Sequence, residues 1–281
     1  MRRLGLLFST ALVAVLLAGC GVKSEPTTSS LAFPSRAVDA SGQTVTLTKP
    51  PTRIVSFDVG ATAILRDLGL GNVTVAPTAA TLSTEVAKST TALVIVPSTL
   101  DRGLLQTITH ATTAPVYQYG ANPLSTAPSA ITQLGLVVGR GPEAAAIAKA
   151  VAASLSALAA QLATESSVRV LLEGRGFTAY GPATPAGLAV SAAGGTNVVT
   201  TDQPLNLADV AGLNVGAWVS LQPGGSTLAS LQSYPELATV PAVKDARIVP
   251  LPKDGFPIDA ALPAALRALA DDLHAAAVST G

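Results

Sequence analysis

One stretch limits the architecture of this chain more than any other. Gly141 to Thr164, GPEAAAIAKAVAASLSALAAQLAT, is its longest unbroken helical signal. Pro142 fits the first helical turn, and Glu143 beside it meets the positive end of the helix dipole. Ile147, Val151, Leu155, Leu158 and Leu162 recur at steps of four and three and share one face. Alanine fills most other positions and raises intrinsic helix propensity. A rod of roughly 23 residues is about 35 Å long, enough to span a small domain. The segments on either side both alternate strand and helix signals. Two arrangements satisfy this: two α/β lobes with a cleft between them, or an ordinary long helix inside one α/β domain.

The first twenty residues stand apart from any fold. Arg2 and Arg3 form a positive start, and Leu4 to Leu17 an apolar run too short to span a bilayer. Leu17-Ala18-Gly19-Cys20 follows and resembles a bacterial lipobox, in which the cysteine is acylated and becomes the new N-terminus. Cys20 is the only cysteine of the chain, which excludes a disulfide framework and any cysteine-based metal site. The expected organisation is a signal peptide over 1–19 and a lipidated Cys20 with a polar tether over 20–32. A first lobe over 33–140, a connecting helix over 141–165 and a second lobe over 166–281 follow. Acyl chains on Cys20 would hold the protein on the extracytoplasmic face of the cell membrane.

Lys+Arg and Asp+Glu both number 17, so there is no basic field for nucleic acid. Ala37 to Leu47 reads as a hairpin with turn residues at Asp39 to Gly42. Arg53 to Phe57 is a short strand, Ala61 to Leu68 a helix ending at Gly69, and Val73 to Val75 a second strand. Leu93 to Val96 and Pro115 to Tyr119 continue the pattern, with a weak helix at 104–108. In the second half, Val168 to Leu172, Ala217 to Val219 and Arg247 to Leu251 read as strands. Helices are expected at Leu207 to Leu213, Leu228 to Leu231 and Pro263 to Ala277.

Asp39…Gly42…Val45-Thr-Leu47…Pro51-x-Arg53-Ile-Val-Ser56, then Gly60-Ala-Thr-Ala-Ile-Leu65…Leu68-Gly-Leu70, resembles the start of the ABC-transporter substrate-binding proteins of the iron–siderophore, haem and vitamin B12 class. Further along, Ile131-Thr-Gln-Leu-Gly-Leu…Gly139, Val168-Arg-Val-Leu-Leu172, Ala193-Gly-Gly-Thr-Asn197 and Val240-Pro-Ala-Val-Lys-Asp-Ala-Arg-Ile-Val249 extend the resemblance in order over nearly all of the chain after Cys20. It implies two Rossmann-like lobes, each a central sheet flanked by helices, bridged by one long helix. It also implies a monomeric, lipid-anchored receptor that takes a ferric siderophore in the interlobe cleft and delivers it to an ABC permease. The implied protein is not an enzyme and has no cofactor, its ligand being an iron chelate. The alternatives are a haem or corrinoid receptor, or a surface scaffold that kept the fold and lost transport. The family's Asn-Pro-Asp before the third strand of each lobe is replaced here by Thr90-Thr91-Ala92 and Asn214-Val215-Gly216. Its permease-docking glutamates align with Thr84 and Ala208, and the adjacent Glu85 and Asp209 would restore an acid in each lobe.

Ligands of open parallel sheets bind beyond the carboxyl ends of the strands. That rule selects Phe57, Asp58, Ser98, Tyr117 and Tyr119 in the first lobe. In the second it selects Arg175, Phe177, Tyr180, Gln222 and Lys253. Tyr117 and Tyr119 point the same way on a strand; they are either iron-ligating or stacking phenols, or half-buried strand aromatics. Arg175, in Gly174-Arg-Gly176, would pair with carboxylates of the ligand. Trp218, the only tryptophan, fits core and cleft equally. His110 and His274 are far apart and expected at solvated helix ends, which argues against a His-rich metal site. No Gly-x-Ser-x-Gly elbow is present for a hydrolase, and Gly139-Arg-Gly141 and Gly224-Gly225 lack phosphate-loop spacing.

Overall fold

Short runs of branched apolar residues such as Leu93-Val-Ile-Val96 and Val170-Leu-Leu172 carry hydrophobic side chains on both faces, the pattern of parallel strands covered from both sides. The computed structural model describes residues 33–77 and 81–275. The expected signal segment, the tether and Cys20 lie outside the described residues.

The chain opens with an antiparallel hairpin, β1 (Ser35–Val38) and β2 (Thr44–Leu47), in which Ser35 faces Leu47 and Val38 faces Thr44. Then come β3 (Ile54–Ser56), α1 (Val59–Asp67), β4 (Thr74–Val75), α2 (Leu82–Ala87), β5 (Leu93–Pro97), α3 (Arg102–Ala111) and β6 (Val116–Tyr119). These strands form a parallel sheet in the order β4-β3-β5-β6. Two helices follow, α4 (Ala127–Val137) and α5 (Gly141–Leu162). The second half holds β7 (Val168–Gly174), β8 (Thr178–Ala179), α6 (Pro185–Ala192), β9 (Gly195–Asn197), β10 (Gln203–Pro204) and α7 (Leu207–Val210). It ends with β11 (Ala217–Gln222), α8 (Leu228–Gln232), α9 (Pro241–Lys244), β12 (Ile248–Pro252) and α10 (Leu262–His274). Its sheet runs β10-β8-β7-β11-β12, with β9 also paired to β7. β7, β11 and β12 are parallel, while β8 and β10 add antiparallel pairs.

Helix α5 joins the halves. By length and composition alone it would pass for a membrane span, but one face packs on both lobes. Ala144, Ala148 and Val151 belong to the first lobe's core and Leu158 to the second's, while Leu155 touches both. At its start, Gly135 of α4 lets the two helices meet closely: a Cβ there would lie 2.0 Å from that of Ala144. The structure therefore has two α/β lobes bridged by one long helix.

The lobes also exchange loops. Leu124 and Ala127, after β6, are buried in the second lobe's core. Ile258, after β12, packs against the cores of both lobes. Two contacts hold it there. The Tyr119 hydroxyl donates to the Ile258 carbonyl at 2.7 Å, and Gly60 lies so close that a Cβ would sit 2.7 Å from the Ile258 backbone N and O.

Candidate functional site

The carboxyl ends of the parallel strands place the candidate residues. In the first lobe, Asp58 follows β3 and caps α1, its Oδ1 accepting from the Ala61 N–H at 2.7 Å. Burial raises its pKa against the pull of the Ala61 and Gly60 amides, and Asp259, contributed by the second lobe, adds to the rise. The folded chain therefore holds this proton more tightly than the unfolded chain. Stability falls as pH climbs from the ordinary aspartate pKa through the folded one. Asparagine caps a helix as well as aspartate does. Asp58→Asn is therefore expected to raise the melting temperature near pH 7, with the gain vanishing near pH 3, where both states carry the proton. A gain that is the same at both pH values, read by calorimetry, would contradict the assignment.

Phe57 is half-buried against the cluster of Val55, Val94 and Ile108, and Val59 beside it is 72% exposed. Ser98 is exposed after β5, over Gly120, where any Cβ would strike its Oγ. Tyr117 and Tyr119 depart from the expected role. Both are 1% exposed, on the face of β6 that the hairpin and α4 cover. Burial raises the pKa of both phenols well above its usual value. Tyr119 is an interlobe tie, and Tyr117 borders a separate cavity of about 210 Å³ between the hairpin, β6 and α4.

In the second lobe three expected residues converge. Arg175, Tyr180 and Lys253 line a cavity of about 260 Å³ with Gly174, Leu221 and Pro223, at the carboxyl edge of β7, β11 and β12. The Tyr180 ring lies against Gly174, where a Cβ would approach within 2.8 Å. The Arg175 stem crosses Gly224, whose absent Cβ would be 3.2 Å from that of Arg175. Among the described residues, Arg175 forms no hydrogen bond or ion pair. Lys253 is 62% exposed and 4.0 Å from Asp254. Two cations and a phenol thus share one concave surface with an aliphatic wall.

Phe177 and Gln222 are not part of that lining. Phe177 turns away to meet Tyr234 edge-on, ring centroids 5.2 Å apart. The exposed Gln222 donates its amide to Ser220 Oγ at 3.0 Å. The expected docking acids occupy corresponding places, Glu85 on α2 before β5 and Asp209 on α7 before β11. Asp209 is exposed and accepts from Asn206. Glu85 is held by Arg53 and by Lys88 at 2.7 Å, and its hydrogen bond from Lys88 chiefly lowers its pKa. Trp218 is wholly buried. His274 is not solvated: its ring sits 2.9 Å from Glu165 with 15% of the side chain exposed. The exposed His110 ends α3 as expected.

Sequence reasoning passed over Glu173, Asp259 and Ile258. Only Glu173 left a signal, as a lone acid closing the apolar run Val168-Arg-Val-Leu-Leu172.

No family model matches the sequence, and no curated protein matches it. Solved structures do. The periplasmic heme-binding protein RhuT from Roseiflexus sp. RS-1 superposes with a TM-score of 0.67 at 20% identity, over 79% of this chain and 97% of that one. The two folds are alike. The heme-binding protein HmuT gives a TM-score of 0.68 at 19% identity, over 87% of this chain and 91% of its own. A periplasmic heme-binding protein from Pseudomonas aeruginosa gives 0.65 at 21%, over 81% and 94%. The match spans both lobes and α5, and at these identities it is a likeness of fold.

Proposed function

We propose that the chain is an extracytoplasmic solute-binding protein that presents haem to an ABC importer, held at the membrane through Cys20. It binds its ligand and makes or breaks no bond. The observation that carries the reading is the cavity beyond β7, β11 and β12, where Arg175, Lys253 and Tyr180 converge. Haem matches that set: two carboxylates for two cations, a ferric ion for a phenol, and an apolar rim for Leu221 and Pro223. The cavity, about 260 Å³, is smaller than a site that encloses a drug-sized ligand. It would therefore grip one edge of the macrocycle and leave the rest outside. The resemblance read from the sequence put a ferric siderophore first. That the structural neighbours are heme-binding proteins supports haem instead.

The test is a haem titration followed by absorbance, with ferric hydroxamate and catecholate siderophores in parallel. Saturation by haem is expected, with Arg175→Ala weakening it by about tenfold to a hundredfold, the worth of one charge-assisted pair. Tyr180→Phe is expected to remove the spectral band of a phenolate on iron. Saturation by a siderophore but not by haem would return the ligand to the first expectation, and silence from all of them would favour a scaffold.

A further inference from the structure

Glu173 is the one acid among the buried residues of β7, 1% exposed at the strand's end. A buried carboxylate is costly unless donors surround it. Its Oε2 accepts from the Ser226 N–H at 2.8 Å and the Trp218 indole N–H at 3.4 Å, and its Oε1 from the Ser226 hydroxyl at 3.2 Å. The Phe177 backbone N–H, four residues along the chain, also favours its charged form. No ion pair reaches it among the described residues, so neutral donors alone hold it.

Apart from the Trp218 indole on β11, those donors come from two separate loops. Phe177 ends the turn Arg175-Gly176-Phe177, where Gly176 and Phe177 both take left-handed backbone angles, φ 69° and 54°. Phenylalanine is rarely found there, so the turn needs fixing from outside. Ser226 ends the loop Pro223-Gly224-Gly225. Gly225 is pressed against β11, where a Cβ would lie 2.5 Å from Ser220 Oγ and 2.6 Å from Leu221 N. Between the two loops runs the Arg175 side chain, its Cβ and Nε 3.2 and 3.5 Å from where a Gly224 Cβ would be.

We infer that Glu173 is the positioning residue of the second-lobe cavity: its carboxylate clamps the turn that carries Arg175 to the loop that carries Pro223 and Gly224. It touches no ligand and acts through Arg175. This assignment gives the buried acid a task that neither its strand pairing nor the core around it requires. It builds on the reading of the cavity as a ligand site, and it specifies what keeps an otherwise unpaired guanidinium over that cavity.

The test has two arms on the full chain. In the first, without ligand, amide hydrogen exchange is followed at Phe177 and Ser226. Glu173→Gln places an amide NH2 among donors, and exchange at both amides is expected to speed up by at least about tenfold while β7 and β11 stay protected. Unchanged exchange at both would overturn the inference whatever the ligand. In the second arm, haem affinity is measured in a double-mutant cycle. Glu173→Gln is expected to weaken binding about tenfold in the natural background but less than about twofold when Arg175→Ala is already present, because it acts through that residue. Equal losses in both backgrounds would mark Glu173 as merely structural. Should Glu173→Gln fail to fold, Ser226→Ala carries the same cycle, with about a threefold loss expected only beside an intact Arg175. Faster exchange in a chain that does not bind haem would sink the haem reading and leave the clamp standing.

Discussion

Trp218→Ala is expected to lower the stability of the second lobe by about 3–5 kcal/mol, the range for deleting a large buried aromatic. Trp218 is fully buried on β11. It packs in a cluster with Leu171, Val210, Leu231, Leu237 and Val240, which joins β7 and β11 to the helices on one side of the sheet. None of these neighbours is long enough to refill an indole's volume without leaving its rotamer well, so a cavity remains. The indole N–H to Glu173 is lost as well, which leaves a buried carboxylate short of a donor. For a chain of this size the thermal midpoint is expected to fall by roughly 6–20 °C, read by circular dichroism. Trp218→Phe, which keeps most of the volume, is expected to cost clearly less. A fall of under about 1 kcal/mol for the alanine variant would show that the cluster is not packed as described.

Trp218 also shows where sequence reasoning stops. Its place within an apolar strand left core and cleft equally open, because a strand with sheet neighbours on both sides sends alternate residues to two covered faces. The same ambiguity misplaced Tyr117 and Tyr119. Their spacing correctly put them on one face of β6, but that face meets the hairpin and α4. That Arg175, Tyr180 and Lys253 meet at one edge was legible for the opposite reason. Each follows or flanks the end of a strand, and parallel strands bring their carboxyl ends to one edge whatever the details of packing. The long helix was legible because 22 residues of helical period contain no breaker after Pro142. Helix α4 was seen only as an approach to α5, since Gly135 within it weakens the helical signal while serving the close crossing with Ala144. Asp259 and Ile258 were invisible. They act on residues such as Tyr119, 139 positions away, and nothing in the loop Gly255 to Ala261 announces that it crosses to the other lobe.

That crossing sets up the second large effect. Gly60 lies in the first turn of α1, where alanine should favour the helix by about 1 kcal/mol. The contact predicts the reverse. An alanine Cβ would sit 2.7 Å from the backbone N and O of Ile258 and 3.0 Å from its carbonyl carbon, and backbone atoms cannot swing aside as a flexible side chain does. Gly60→Ala is therefore expected to destabilise by about 1–3 kcal/mol, as overpacking does, and to push the 255–261 loop away from the first lobe. The Tyr119 hydroxyl would then lose the Ile258 carbonyl, so Tyr119→Phe should cost about 1 kcal/mol alone and little further beside Gly60→Ala. Urea midpoints of the two single variants and the double variant measure this. A neutral or stabilising Gly60→Ala would mean that propensity is the only term acting and that the lobes do not touch there in solution. The expected non-additive loss would instead establish a fixed lobe contact beside the cavity. On the receptor reading proposed above, and with α5 resisting hinge motion as well, the chain would then take up a ligand with only a small change of lobe angle, and the geometry around Arg175, Tyr180 and Lys253 would already be close to the form that holds it.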